Sequence, residues 1–138
     1  MREIKFRAWI GESWVYSECV SKDNDVWRIL NHEDDNWWAC LEPQQFTGLK
    51  DKNGKEIYDG DILECTSELL TNFGKTKTGR YETTYKQVIW LTDSWGYRVL
   101  KSKYIVEGAE RKGLEVAIKF GVVCGNIYEN PELLGASK

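Results

Sequence analysis

The sequence predicts a mainly β protein with few or short helices. Two prolines and twelve glycines stand among many aromatic and β-branched residues, a composition that favours strands and turns. Apolar residues recur at every second position in several short segments, and no amphipathic helical stripe is longer than about two turns. We therefore expect an N-terminal β-meander, followed by a small SH3-like β-barrel in the C-terminal two-thirds of the chain.

The first thirty residues read as three strands. Ile4, Phe6 and Ala8 alternate with Lys5 and Arg7, which is the pattern of a half-buried strand. Polar turns at residues 11–12 and 22–25 separate this strand from a second at 14–16 and a third at 26–30. The acidic segment 31–36 predicts an exposed loop, and residues 37–41 could form a strand or a helical turn.

Residues 45–63 form the stretch around which the rest of the chain is organised. Its polar tip ends in Asn53-Gly54, a strong signal for a tight hairpin turn because both residue types tolerate positive φ. A second bend is predicted at Asp59-Gly60-Asp61. We expect Asp59 and Asp61 to cap that bend by accepting backbone N–H groups rather than to serve as an acid–base pair.

The second half continues as strands and turns. A polar segment at 71–78 precedes an extended strand at 81–91, and a further strand is expected at 97–100. The apolar segments 116–120 and 122–124 are strand-like, with a bulge or bend at Gly121. Asn130-Pro131-Glu132 predicts one short helical turn over residues 130–134.

Three segments of the chain resemble a known family. They are the opening MREIKFRAW at 1–9, the block QFTGLKDKNGKEIYDGDI at 45–62 and the tail GNIYENPEL at 125–133. Together they are similar to the start, central signature and ending of the YopX-like proteins of bacteriophages and prophages. The resemblance implies a phage or prophage origin and a mostly β protein, and it carries over no established chemistry and no catalytic residue.

A length of 138 residues suits one domain or two small subdomains. Glu42-Pro43-Gln44 interrupts the pattern, so we predict an N-terminal β-rich subdomain at 1–43 and a C-terminal barrel-like domain at 44–138. No apolar run approaches the roughly 20 residues of a membrane span, and the N-terminus does not read as a signal peptide. We expect no membrane partner and a location in the host-cell cytoplasm.

Few residues offer reactive chemistry. The four cysteines are scattered without a Cys-x-x-Cys pair and are expected to be small buried hydrophobes, and most of the seven tryptophans are expected to fill β cores. The single histidine, His32, lies beside Glu33, Asp34 and Asp35, with Cys40 eight residues on. Consecutive residues cannot all converge on one ion, so a solvated acidic loop is expected there rather than a metal site. We expect no cofactor, no metal and no enzymatic activity.

A basic and aromatic window is the candidate nucleic-acid-binding segment. Residues 71–103 carry seven basic and two acidic side chains, whereas residues 1–70 carry eight basic and fifteen acidic ones. Small β-barrels bind single strands by stacking bases on aromatic rings and pairing phosphates with Lys and Arg. The sequence pI of about 5.3 argues against a dedicated nucleic-acid binder. The candidate residues within window 75–103 are Lys75, Lys77, Arg80, Tyr81, Tyr85, Lys86 and Arg98.

Protein binding is the leading hypothesis for function. Aromatic residues and Arg are enriched at interface cores, and the acidic and basic halves of the chain could pair head to tail between subunits. Trp37 and Trp38 are the candidate interface residues, because adjacent side chains in a strand face opposite sides and cannot both enter one core. The sequence therefore predicts a protein-interaction or self-assembling, homo-oligomeric module, with nucleic acid as the alternative partner.

Overall fold

The computed structural model describes residues 4–71, 75–103 and 105–133, and the fold is mainly β, as predicted. The predictions for residues 1–3, for 72–74 within the polar segment and for Leu134 lie outside the described residues. The elements are β1 Phe6–Trp9, β2 Trp14–Ser17, β3 Val20–Asp23, β4 Val26–Asn31, β5 Asn36–Cys40, β6 Gln44–Lys50, β7 Glu56–Tyr58, β8 Asp61–Thr71, β9 Thr76–Trp90, β10 Trp95–Lys101, β11 Glu110–Lys112, α1 Leu114–Ala117, β12 Gly121–Asn126 and a 3-10 helix at Pro131–Leu133.

The chain divides into two compact units. The first unit runs up to Leu49 and takes in Glu56–Asp59, and the second comprises Lys50–Lys55 and the chain from Gly60 onward. The predicted subdomain boundary at residue 43 remains a prediction. No helix in the described part of the chain has the length and apolar character that a membrane span needs.

The first unit contains two antiparallel sheets. One has the order β2-β1-β6-β7, and the other has the order β3-β4-β5, so β4 is central in a three-stranded meander. The β3–β4 turn is a tight hairpin, because Asn24 and Asp25 both adopt positive φ. One apolar cluster of this unit is built around three buried residues, Ala8, Val15 and Ile29.

The second unit is a five-stranded antiparallel sheet with the order β11-β10-β9-β8-β12. Its wholly buried side chains include Ile62, Leu63, Val88, Val99 and Leu114. None of the three sheets formed by the described residues closes on itself, so the SH3-like barrel remains a prediction.

The strand expected at residues 116–120 is wrong. A one-turn helix, α1, begins after Gly113, which has φ +90, and the next strand begins only at Gly121. Leu114 and Ala117 are both buried. They lie three positions apart and therefore on one helical face, a spacing that an apolar run does not distinguish from a strand. The short helical turn near the C-terminus is confirmed as the 3-10 helix.

Most tryptophans do not fill the core, contrary to expectation. Trp95 is buried at 8% exposure, whereas Trp90, Trp37 and Trp38 are 51%, 49% and 40% exposed. The remaining three, Trp9, Trp14 and Trp27, are half-buried. Aromatic surface is therefore available on both units.

Candidate functional site

The two candidate interface tryptophans lie on opposite faces of the three-stranded sheet. Trp38 pairs across the strands with buried Ile29, and Trp37 pairs with Leu30. Trp38 is therefore on the core face, where its indole Nε1 donates to Asp34 Oδ2 at 3.1 Å. Trp37 projects from the other face, and neither ring is buried.

The face that carries Trp37 is a continuous exposed surface, which we call the outer face. Strand alternation and register place on it Ser21, Asp23, Val26, Arg28, Leu30, Trp37 and Ala39. All of these are exposed except Leu30, which is half-buried. The outer face therefore presents apolar and aromatic side chains together with one arginine, a combination typical of interface cores, and one aspartate on the far strand β3.

The strand that carries Trp37 is also an edge strand. Among the described residues β5 pairs with β4 on one side only. Its five residues, Asn-Trp-Trp-Ala-Cys, include neither a charged residue nor a proline. The opposite edge, β3, carries Lys22 and Asp23. Charged side chains and proline are the usual protection against edge-to-edge pairing, so β3 is protected and β5 is open.

Four of the predicted nucleic-acid-binding residues lie together in the outer part of the β8–β9 hairpin. Lys75 precedes β9, and Lys77, Arg80 and Tyr81 follow on it, all four exposed. The register shifts between Glu68 and Leu70, where extra residues bulge from β9. The Gly79 N–H donates to Glu68 Oε2 at 2.9 Å, which fixes the bulge and adds an acidic group to this surface.

The other three predicted residues do not join that surface. Lys86 Nζ lies 4.4 Å from the centroid of the Tyr97 ring. Tyr85 donates to Glu64 Oε2 at 2.9 Å, and this hydrogen bond is the main cause of a raised Tyr85 pKa. Tyr85 and Lys86 are consecutive and so face opposite sides of the sheet.

Arg98 is paired within the same sheet. Its Nη2 donates to Glu110 Oε2 at 2.7 Å, and its Nε donates to the same oxygen at 3.1 Å. Tyr85, Lys86 and Arg98 therefore make contacts within the second unit, and the seven predicted residues do not form one surface.

His32 has different neighbours from those the sequence suggests. Its Nε2 lies 2.5 Å from Glu18 Oε1 and 3.3 Å from Ser17 Oγ. The Glu18 pKa is lowered, chiefly by this hydrogen bond with His32. Ligand atoms of Glu18, Cys19 and His32 all lie within 4.8 Å of one another, so the histidine is grouped with Cys19 rather than with Cys40.

A buried arginine escaped the sequence reasoning. Arg7 is only 5% exposed, although alternation placed it among the polar positions of β1. Its guanidinium lies 4.2 Å from the Trp14 ring centroid and 4.6 Å from that of Tyr58, and its Nε donates to Gln44 Oε1 at 2.9 Å. The partners come from β2, β6 and β7, so no local pattern could have indicated the contact.

The predicted hairpin tip is held by an aspartate rather than by a two-residue turn. Asp51 Oδ1 accepts from the N–H groups of Asn53 and Lys55, each at 2.9 Å, and Oδ2 accepts from the Val123 N–H at 2.9 Å. The predicted turn is present between the neighbouring strands β6 and β7, and Gly54 has φ +86, but Asn53 does not adopt positive φ. The aspartate joins this loop to β12.

Two thiols, one buried and one half-buried, are poor nucleophiles. Cys65 is 6% exposed, and burial is the main cause of its raised pKa. Burial also raises the pKa of the Cys40 thiol. Since the thiolate is the reactive form, neither cysteine is activated for catalysis.

Comparisons with known proteins show what the fold and the sequence of the chain are similar to. Comparison with curated proteins gives no significant match. The fold is similar to that of the crystal structure of protein EF1440 from Enterococcus faecalis, with a TM-score of 0.50 and 22% sequence identity over 97% of this chain and 99% of that one. The profile of the YopX protein family matches residues 5–135, nearly the whole chain. The chain therefore belongs to the YopX protein family.

Proposed function

We propose that the protein is a non-enzymatic interaction module that associates with a second copy of itself through strand β5. The observation that carries the proposal is the open edge of β5, which has no charged residue and carries two exposed tryptophans. An exposed edge offers unpaired backbone N–H and C=O groups to another strand.

A second copy is the partner that the chemistry of β5 favours. Two copies of β5 running antiparallel would pair the same segment with itself, as a two-fold interface requires. The contact would bring together apolar and aromatic side chains of two outer faces, including Trp37 and Ala39, and strand β5 itself would bring no charge into it. The raised pKa values of the Cys40 and Cys65 thiols, which make them poor nucleophiles, support the non-enzymatic part of the proposal.

Sedimentation equilibrium over a range of protein concentrations tests this function. We expect the mass to rise from the 16.1 kDa of one chain towards twice that value. Ala39→Lys places a charge on the edge strand and should abolish the rise. Val26→Lys adds the same charge to the same face on the central strand β4 and should leave most of it. A monomer at all concentrations, or equal effects of the two lysines, would refute the proposed contact.

A second candidate function is weak binding of single-stranded nucleic acid through the outer part of the β8–β9 hairpin. The observation in its favour is that Lys75, Lys77, Arg80 and Tyr81 are all exposed within seven consecutive positions. Cationic side chains at this spacing can contact successive phosphates of a single strand. Tyr81 is 65% exposed and offers a ring face on which a base can stack.

Fluorescence anisotropy with labelled oligonucleotides at several salt concentrations tests the second candidate. Replacing Lys75, Lys77 and Arg80 with Ala should weaken binding and reduce the salt slope by roughly 2, as expected for three lost contacts to a single strand. The control replaces three exposed lysines elsewhere, Lys22, Lys50 and Lys119. Equal losses in the two triple variants would indicate nonspecific attraction only.

The proposal also includes the setting that the sequence implies. A phage or prophage origin rests on the resemblance of the three segments, and a location in the host-cell cytoplasm goes with that origin. An SH3-like arrangement of residues 44–138, with a subdomain boundary at residue 43, is also part of the proposal, and the five antiparallel strands of the second unit are the number that a small barrel needs.

A further inference from the structure

The loop between β2 and β3 brings two metal-binding side chains, Glu18 and Cys19, to the single histidine of the chain. A carboxylate oxygen of Glu18, the Cys19 sulfur and an imidazole nitrogen of His32 all lie within 4.8 Å of one another. The approach is fixed by the backbone, because the Leu30 N–H donates to the Cys19 carbonyl at 3.1 Å, two residues before His32.

We propose that Glu18, Cys19 and His32 form a binding site for a zinc-like divalent cation. Thiolate and imidazole ligands favour zinc over calcium and magnesium, which take oxygen ligands. Bond lengths of about 2.0–2.3 Å place tetrahedral ligand atoms roughly 3.3–3.7 Å apart. The present separations therefore need to change by about 1 Å, which rotation of the exposed Glu18 and His32 side chains can supply.

A buried serine contacts all three residues of the cluster. Ser17 is 4% exposed, and its Oγ accepts from the Cys19 N–H at 3.0 Å. The same oxygen lies 3.3 Å from His32 Nε2 and 3.3 Å from Glu18 Oε1. One buried hydroxyl thus contacts all three candidate ligand residues and limits how far they can separate, as supporting residues do in metal sites.

A fourth ligand would come from solvent. The side chains of His32 and Glu18 are 54% and 57% exposed, so a water molecule or a small ligand can reach the candidate ligand atoms. Three protein ligands and one open position are the arrangement in which zinc keeps a water molecule or binds a small ligand. We expect a water or a small molecule in the fourth position.

The sulfur distinguishes a metal site from an ion pair. The short contact between His32 and Glu18 is satisfied without Cys19, so a simple ion pair makes no use of the thiol. Binding of the cation would replace the Cys19 S–H bond and any proton shared by His32 and Glu18 with metal–ligand bonds, releasing the protons to solvent.

Titration with Co²⁺, a spectroscopic substitute for Zn²⁺, tests the site on the full-length, reduced, metal-free protein. We expect one Co²⁺ per chain, visible d–d bands of tetrahedral intensity and a near-ultraviolet thiolate-to-cobalt band, all lost on addition of one equivalent of Zn²⁺. Cys19→Ser should abolish the charge-transfer band, and His32→Gln should weaken binding at least 10-fold. The control, Cys124→Ser, changes an exposed cysteine outside the cluster and should bind like the parent protein.

Two outcomes would overturn the proposal. The first is a parent protein that gives no charge-transfer band with Co²⁺ and no heat of binding with Zn²⁺, which would leave the cluster as an ion pair only. The second is a band that survives Cys19→Ser or disappears in Cys124→Ser. Circular dichroism of each variant separates loss of binding from loss of folding, and His32→Gln, at a side chain 54% exposed, keeps the test decisive if Cys19→Ser fails to fold.

Discussion

Replacing Asp51 should destabilise the second unit far more than replacing an exposed loop carboxylate such as Glu107. The Asp51 side chain is 7% exposed and accepts three backbone N–H groups, from Asn53, Lys55 and Val123. Hydrogen bonds to a charged group contribute about 1.5–3 kcal/mol each. In Asp51→Ala, water can replace the carboxylate at the exposed Asn53 and Lys55, but the Val123 N–H is part-buried. We therefore expect a net loss of about 3 kcal/mol.

The same aspartate predicts an acid sensitivity. Burial acts to raise the Asp51 pKa, but the N–H donors of Val123, Lys55 and Asn53 outweigh it and the pKa is lowered. A carboxylate whose pKa falls on folding contributes stability above its unfolded pKa of about 3.9 and loses it as the pH falls through the lower, folded value. Asp51→Asn should therefore be less stable at pH 7 and should lose less stability than the parent below about pH 4.

Urea unfolding at pH 7 and at several acidic pH values measures both effects. Glu107→Ala is the control, since it removes an exposed carboxylate from a loop of the same unit. If Asp51→Ala were as stable as Glu107→Ala, or if Asp51→Asn showed the parent's acid dependence, the assigned role of Asp51 would be wrong.

Three further predictions concern a close backbone contact, a buried arginine and a buried tyrosine. Gly96→Ala would bring a Cβ against the Arg111 carbonyl oxygen and should cost about 3 kcal/mol in thermal unfolding. Gly108→Ala, in open space at φ +88, should cost only about 1 kcal/mol, and equal costs would contradict the steric reasoning. Arg7→Leu should lower the free energy of unfolding by about 3 kcal/mol, because two ring contacts and a buried hydrogen bond disappear. Arg7→Lys should recover only part of this stability, and full recovery would show that charge alone matters. Burial raises the pKa of Tyr58 far above 10, so its stabilisation is present below about pH 10 and is lost at higher pH. Absorbance titration should show a late-ionising tyrosine that is missing in Tyr58→Phe, and an unchanged titration curve would contradict this.

The strands were predictable wherever a local pattern decides the structure. The period-2 alternation of β1 and the polar turn at Asn24-Asp25 are local signals, and both correspond to elements of the structure. The mainly β class follows from many such segments. The failure at residues 116–120 has a local cause too, because a short apolar run fits one turn of helix as well as a strand.

Contacts between distant segments were not predictable. Arg7 looks like a solvent-facing residue until β2, β6 and β7 supply its partners. The hydrogen bond from the Val123 N–H to the Asp51 carboxylate joins residues that lie 72 positions apart. The grouping of His32 with Glu18 and Cys19 likewise depends on how β3 pairs with β4, whereas the sequence pointed only to its immediate neighbours.

The two candidate surfaces were likewise predictable from the sequence only in part. Exposure of Lys75, Lys77, Arg80 and Tyr81 was predictable from a polar hairpin, but the separate positions of the remaining window residues required the strand register. The opposite orientation of Trp37 and Trp38 follows from strand geometry alone. That their strand is an uncharged edge is known only from the sheet order.

Hydrogen–deuterium exchange at increasing protein concentration tests the central claim, that β5 pairs with β5 of a second copy. Backbone amides that enter a new strand pair exchange more slowly. We expect protection of residues 36–40 to rise with concentration while protection of the charged edge β3, residues 20–23, does not. Protection of β5 that is independent of concentration, or a rise at β3 instead, would contradict the claim.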